Sequence, residues 1–224
     1  MFNKTHVYFV FVFSFFLHGC VTPTGRYKQL AGLGENSAIS DPKQAIASMS
    51  PTELTLSQEA RLKIRELDPI VKFGDFFSYS KLIKFSIPES GNYVFTLEST
   101  CRCFGLLKTM LIPRVIILDD KGTVLEEDPK QLFDMPAGWT IPVHLWAEWA
   151  TTFQNSGDFF LLILGDNSAV GQIVGTAEGT HTWTSQQKVS PVLMKITTTK
   201  YSFDIPIFNS PIGDIRIKIQ RAGK

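Results

Sequence analysis

The cysteines have the most distinctive chemistry in this chain. Cys101 and Cys103 are separated by a single arginine. Zinc sites more often use a Cys-x2-Cys spacing together with further ligands, so the sequence predicts no metal site here. In an oxidising compartment the two thiols can instead close on each other, provided that a turn brings their Cα atoms within disulfide range. A Cys101–Cys103 disulfide is therefore a hypothesis, and its small ring would contribute no more than about 1–2 kcal/mol.

The remaining cysteine, Cys20, follows a leader with the features of an export signal. Residues 7–17 are mostly apolar, which suits a signal-peptide core and falls short of the about 20 residues that span a bilayer. The run Leu17-His18-Gly19-Cys20 resembles the bacterial lipobox, with a histidine where a small residue is usual. We therefore expect residues 1–19 to be a lipoprotein signal peptide.

An acylated Cys20 would hold the protein on a membrane. Each buried CH₂ group of a fatty-acyl chain such as palmitate contributes about 0.8 kcal/mol, so several chains make the anchor effectively permanent. Val21 follows the cysteine where an aspartate would signal inner-membrane retention. By resemblance to the enterobacterial sorting rule, we expect a lipid anchor in the outer membrane and a protein that faces the periplasm.

Histidines and paired carboxylates are the remaining groups that could catalyse a reaction. His144 and His181 follow the expected cleavage site, and neither lies in a nucleophile motif. The carboxylates at 119–120 and 126–128 flank a stretch typical of a hairpin turn, where solvated acidic residues are common. We therefore expect no catalytic residue, no cofactor and no enzymatic activity.

Tryptophans are the candidate ligand-contact residues, because flat aromatic rings stack on sugar faces and also anchor protein interfaces. In a strand, His144, Trp146 and Glu148 would share one face, and Trp149 would lie on the other. One strand face therefore cannot bury all of the tryptophans. The candidates for interface or ligand contact are Trp146, Trp149 and Trp183, with a place in the core as the alternative for each.

The charge balance limits the expected partners. The chain has 22 lysines and arginines against 21 aspartates and glutamates, a formal net charge of +1. Proteins that bind nucleic acid neutralise phosphates with a basic excess, so we expect no nucleic-acid partner. Phenylalanine is abundant, with 18 copies, and the copies beyond the leader indicate a well-filled core.

After the leader, the sequence pattern predicts a linker and one domain. Residues 20–50 are rich in small and polar residues with little apolar periodicity, which predicts a lipidated N-terminus and a flexible tether. Residues 51–224 combine short alternating or apolar runs with frequent turn signals, which predicts an all-β domain, an antiparallel, jelly-roll-like β-sandwich. The segment 57–67 is ambiguous, and strand is favoured over helix at its end. The clearest predicted strands are residues 78–87, 93–97, 114–118, 159–164 and 212–219.

Three blocks of this pattern resemble a known family. They are residues 69–88, which begin Pro-Ile-Val-Lys-Phe-Gly and end Ile-Pro; residues 113–119, Pro-Arg-Val-Ile-Ile-Leu-Asp; and the apolar strand after Gly157. Their order resembles the maltose-operon periplasmic protein family and is also similar to the pre-peptidase C-terminal domain, a small jelly-roll sandwich. Both resemblances imply a non-enzymatic envelope or accessory module. A maltose function does not follow, because function belongs to sites rather than to folds.

Together these patterns predict a non-catalytic outer-membrane lipoprotein whose periplasmic β-sandwich binds another protein of the cell envelope. One alternative is a subunit of an envelope-spanning, secretion-type assembly. Another is an accessory module that binds a glycan, either peptidoglycan or an imported oligosaccharide.

Overall fold

A computed structural model describes residues 22–102, 107–127, 133–135, 144–188 and 194–223, with side chains except at 133–135, 177–188 and 194–204. Two α-helices come first, α1 (Pro23–Ser37) and α2 (Pro42–Ser48). No helix in the described ranges is long and apolar enough to cross a membrane. The strands are β1 (Thr52–Leu54), β2 (Glu59–Ile64), β3 (Ile70–Phe73), β4 (Phe76–Ile87), β5 (Gly91–Thr100), β6 (Lys108–Met110), β7 (Pro113–Leu118), β8 (Val124–Glu127), β9 (Phe133–Met135), β10 (His144–Phe153), β11 (Gly157–Gly165), β12 (Ile173–Lys188), β13 (Met194–Asn209) and β14 (Gly213–Arg221).

Two sheets pack face to face, which confirms the predicted all-β sandwich. Sheet I has the strand order β1-β4-β11-β7-β8, with β3 also paired to β4, and sheet II has the order β2-β14-β5-β10-β9. The pairs within both sheets are antiparallel, except that β1 runs parallel to β4. The apolar side chains between the sheets form one core cluster, which includes Ile83, Phe85, Val115, Ile117, Phe159, Leu161 and Ile163 from sheet I and Tyr93, Phe95, Leu97, Trp149, Phe153, Ile215, Ile217 and Ile219 from sheet II.

The alternating strands of sheet II lie where the sequence pattern predicts them. Along β14 the isoleucines are buried, and the polar residues between them are half-buried on the opposite face. The ambiguous segment 57–67 also resolves as predicted, because β2 places Leu62 and Ile64 in the core and leaves Arg61 and Lys63 exposed. Sheet II is therefore apolar on one face and polar on the other, as expected for an antiparallel sheet with one solvated face.

Sheet I differs, because it is buried on both faces. Phe159, Leu161 and Ile163 of β11 point into the sandwich core, while the alternate residues of the same strand belong to a second apolar cluster outside the sandwich. That second cluster contains Ala45 and Met49 from the N-terminal segment. The outer face of sheet I is therefore covered by a third layer of the chain.

The flexible tether predicted for residues 20–50 is wrong from residue 22 onward, where the structure describes the chain. Thr22 caps α1 by accepting a 3.1 Å hydrogen bond from the N–H of Gly25, and Asp41 caps α2 in the same way through the N–H of Lys43 at 2.9 Å. Both helices have proline in the first turn, where the missing N–H costs nothing. The side chain of Leu30 in α1 is 0% exposed and belongs to the sandwich core. The packed structure therefore begins well before residue 51.

Strands β12 and β13 form a long two-stranded ribbon, which we call the arm. Each strand has 16 residues, and they pair antiparallel up to Lys188 opposite Met194. The end of the arm nearest the sandwich, its base, is joined to β6 by a short parallel ladder at Ile207–Asn209. At about 3.3 Å per residue, the part beyond this ladder is about 40 Å long.

Replacing Leu30 by alanine tests whether α1 is part of the fold. Removing a fully buried leucine side chain should lower the free energy of unfolding by about 2–5 kcal/mol. Leu33→Ala, in the same helix at a side chain that is 57% exposed, is the matched control and should change it by less than about 0.5 kcal/mol. Urea denaturation of both variants measures the difference. Equal, small effects would contradict the packing of α1 against the core.

Candidate functional site

The outer face of sheet II, formed by the alternate residues of β10, β5, β14 and β2 that point away from the core, is the candidate binding surface. Trp146 is half-buried on this face. The strand register places Glu98 opposite Trp146 and Arg216 opposite Glu98. The Arg216 Nη1 atom lies 3.5 Å from Glu98 Oε2. A tryptophan therefore lies beside a partly exposed ion pair in a row across three strands.

A second polar row runs alongside the first. The register places Thr100 between His144 and Asp214. Arg102 Nε donates a 3.0 Å hydrogen bond to Asp214 Oδ2, while the other carboxylate oxygen, Oδ1, is buried with no hydrogen-bond partner in the part of the chain that the structure describes. The two rows combine an aromatic ring, guanidinium donors and carboxylate acceptors, which are suited to binding a polar partner.

Trp149, the second predicted ligand-contact residue, lies in the core instead. Its side chain is 8% exposed, and its ring stacks on Phe95 with the centroids 5.1 Å apart and an interplanar angle of 17°. The interface hypothesis is therefore wrong for Trp149, because the odd positions of β10 face the sandwich interior while Trp146 faces outward. Trp183 lies in β12, at the register position opposite Thr199.

The predicted cysteine sites are described only at Cys101. This residue is 7% exposed, belongs to a small apolar cluster with Met110, Leu145 and Ile207, and is disulfide-bonded. Cys20 and Cys103 lie outside the described residues. The Cys101–Cys103 pairing and the lipidation of Cys20 therefore stay predictions.

A polar network that the sequence patterns did not reveal fixes the arm to the sandwich. The Asn209 side chain in β13 donates a 2.7 Å hydrogen bond to the backbone oxygen of Asp166 and accepts one of 3.4 Å from the N–H of Ile112. Asn167 donates a 2.7 Å bond to the backbone oxygen of Phe77. The run Gly-Asp-Asn at the end of β11 resembles an ordinary turn in sequence, so its role becomes evident only when β13 is placed beside it.

Asp166 links this network to sheet I. Its carboxylate accepts hydrogen bonds from Arg114 Nε at 3.1 Å and from the hydroxyl of Ser168 at 2.6 Å. Partial burial acts to raise the pKa of Asp166, but the bonds from Ser168 and then Arg114 outweigh it and hold the pKa below its usual value. The Arg114 guanidinium also lies 5.3 Å from the ring centroid of Phe73, a cation–π distance. The charged pair is therefore held in place on several sides.

A cleft of about 470 Å³ lies at the opposite end of the sandwich, between the β7–β8 and β10–β11 turns. Two of its acidic side chains, those of Asp119 and Asp158, already have hydrogen-bond partners. Asp119 accepts bonds from the N–H groups of Thr123 and Lys121, which lower its pKa. The bond from Lys84 and then that from Ser86 lower the pKa of Asp158. The described residues contain no cluster of three or more potential metal ligands.

The chain was compared with protein-family models, curated proteins and solved structures. No protein-family model matches the chain, and no curated protein matches it. Among solved structures, the chain is similar to the pre-peptidase C-terminal domain of a collagenase from Bacillus anthracis, with 7% sequence identity and a TM-score of 0.32. The similarity covers 76% of this chain and 94% of that domain.

Replacing Asp166 by asparagine should destabilise the protein by about 1–3 kcal/mol at pH 7, because charge-assisted hydrogen bonds are lost. The folded-state pKa of Asp166 is lowered, so its stabilising contribution is present above the unfolded pKa, about 3.9, and is lost as the pH falls through the folded pKa. Urea denaturation should therefore show a difference in the free energy of unfolding between parent and variant at pH 7. This difference should disappear at pH 2. Asp120→Asn, at an exposed turn position, is the control. A difference that is equal at both pH values would contradict this account.

Proposed function

We propose that this protein is a non-catalytic lipoprotein of the outer membrane that binds another protein of the cell envelope through the outer face of sheet II. The observation that carries the proposal is the difference between the two outer faces. Sheet I is covered by an apolar layer, whereas sheet II bears Trp146 beside the Glu98–Arg216 pair. The lipid on Cys20 would hold this surface at the periplasmic side of the membrane.

The residue types on this face support a protein partner. Tryptophan and arginine are enriched among the residues that dominate binding energy at protein interfaces. The polar neighbours Glu148 and Thr152 are exposed on the same face of β10, and they suit the hydrated rim of such an interface. Charged side chains of both signs lie on the face, so a partner with alternating charge would fit better than a polyanion.

The remaining alternatives make different predictions for this surface. A subunit of a secretion-type assembly would use it against a neighbouring subunit. A glycan-binding module would use Trp146 as a stacking platform, with Glu98 and Glu148 as hydrogen-bond acceptors. The sequence resemblance to the maltose-operon periplasmic family, which no family model supports, would imply the general role of an envelope accessory protein and supplies no ligand.

Replacing Cys20 by alanine tests the anchor. The variant should lose labelling by radioactive palmitate and should move from the membrane fraction to the soluble periplasmic fraction, because the acyl chains supply the membrane affinity. Cys101→Ala, which removes a different cysteine, should keep both the label and the membrane location. A Cys20→Ala variant that is still labelled and still sediments with membranes would contradict the lipoprotein assignment.

Replacing Trp146 by alanine tests the binding surface. A photo-crosslinking amino acid at Glu148, exposed beside Trp146, should form an adduct with an envelope protein in cells. The Trp146→Ala change should abolish that adduct while shifting Tm by only a few degrees, because the indole is a contact residue. Trp149→Ala is the contrasting core variant and should cost about 3–5 kcal/mol.

The crosslinker placed at Glu53, exposed in β1 of sheet I, is the matched control and should give no adduct with the same protein. Equal adducts from both positions, or an adduct that survives Trp146→Ala, would contradict the assignment of the surface. Binding to a glycan array without any protein adduct would replace the proposal by the glycan alternative.

A further inference from the structure

Over residues 177–184 and 198–205, the strand register divides the arm into two unlike faces. Directly opposite residues in an antiparallel pair lie on the same face, and the faces alternate along each strand. One face, which we call the aromatic face, contains the register pairs Ala177–Ile205, Gly179–Phe203, His181–Tyr201 and Trp183–Thr199. The other, the polar face, contains Glu178–Asp204, Thr180–Ser202, Thr182–Lys200 and Thr184–Thr198.

The aromatic face continues a buried face of the protein. Ile207 lies on it, opposite Gly175, and is completely buried with Met110 and Leu145 at the base of the arm. Ile205, next along this face, is half-buried. Beyond the ladder with β6, the described strands that pair in the arm are β12 and β13 alone. A two-stranded ribbon is marginally stable by itself. Packing of the aromatic face against another surface would therefore stabilise the arm.

The N-terminal segment begins at the base of the arm. Gly171, between β11 and β12, donates a 3.0 Å hydrogen bond from its N–H to the backbone oxygen of Asn209. A Cβ added to Gly171 would lie only 2.5 Å from Thr24 Oγ1, so the first turn of α1 touches the arm base. Four residue steps lead from Thr24 back to Cys20, a span of at most about 14 Å. An acyl chain on Cys20 would thus enter the membrane close to the point where the arm leaves the sandwich.

We propose that the aromatic face of the arm docks on the lipid surface beside this anchor. Trp183, Tyr201 and Phe203 are the residue types that settle at the boundary between headgroups and acyl chains. The threonines and charged residues of the polar face would then face water. The placement rests on the proposed acylation of Cys20, and it gives the arm a role beyond the protein-binding surface of sheet II.

The anchor favours lipid over other occupants of this face. The base of the arm is held within about 14 Å of Cys20, so the adjoining arm meets lipid at a high effective concentration and a weak affinity is sufficient to keep it bound. A second copy or a partner protein would have to compete with a surface that is always present. The aromatic face also lacks acidic residues along its four register pairs, so an anionic lipid surface would not repel it.

Two neighbouring threonines provide a matched test. Thr199 lies on the aromatic face and Thr198 on the polar face of the same strand. Each is changed to cysteine in the full-length, acylated protein, labelled with an environment-sensitive fluorophore under non-reducing conditions, and reconstituted in phosphatidylethanolamine–phosphatidylglycerol vesicles. The parent protein is treated with the same fluorophore, and the label that it takes up measures the background reaction of the native cysteines.

The probe at 199 should shift its emission to the blue and lose intensity when brominated lipids replace the ordinary ones. The probe at 198 should behave as in water. The double change Trp183→Ser and Phe203→Ser should abolish the response at 199. Emission from 199 that stays water-like in vesicles, or a response of equal size at 198, would overturn the proposal.

A second copy of the chain or a partner protein on the aromatic face would give different results. A blue shift at 199 that grows with protein concentration in the absence of vesicles would indicate a second copy and would overturn the proposal. A shift that appears only after adding an envelope extract would indicate a protein partner and would also overturn it. If Cys20 carries no lipid, the lipoprotein assignment fails on the palmitate experiment, while a response at 199 to added vesicles would still support lipid docking by the arm.

Discussion

Strand β11 is apolar on both of its faces, and the rest of the structure is arranged around that fact. Phe159 packs against Phe153 of sheet II with the ring centroids 4.6 Å apart, which joins the two sheets through the core. The next residue, Phe160, faces the opposite way into the outer cluster. Leaving that outer face in water would forfeit about 1.5–3 kcal/mol for each large side chain. A third layer is therefore a requirement of the sequence.

The N-terminal segment supplies part of this layer, and it contacts the sandwich near both of its ends. At one end α1 begins against Gly171 at the arm base. At the other, α2 begins against the β7–β8 turn, where a Cβ on Gly122 would lie 2.8 Å from the Cα of Lys43. Glycine is required at 122 on two counts, because its φ of 80° also lies in the left-handed region. The outer-face residues of sheet II, in contrast, are half-buried or exposed in the part of the chain that the structure describes.

The strands could be predicted because period-two alternation follows directly from backbone geometry. The helices could not be predicted from apolar periodicity, since α1 rests on the single fully buried leucine Leu30. Two local signals were nevertheless present, an N-cap residue followed by proline at Thr22-Pro23 and at Asp41-Pro42. Spacing alone placed Trp146 and Trp149 on opposite faces of a strand, but it did not show which of the two faces is buried. The neighbours of Trp146, Glu98 and Arg216, could not be predicted, because cross-strand register depends on which strands pair.

Side-chain hydrogen bonds help to hold the base of the arm against the sandwich. In the part of the chain that the structure describes, the arm pairs through its backbone with the short strand β6, which belongs to the same three-stranded sheet as the arm and to neither sheet of the sandwich. Side-chain hydrogen bonds supply further attachment at the base. Asn209 and Asn167 do this by bonding backbone oxygens, and each is almost completely buried. A buried acceptor that loses its partner costs about 1–3 kcal/mol, so bending the arm at its base would be opposed by several such losses. These hydrogen bonds therefore hold the base of the arm against the sandwich.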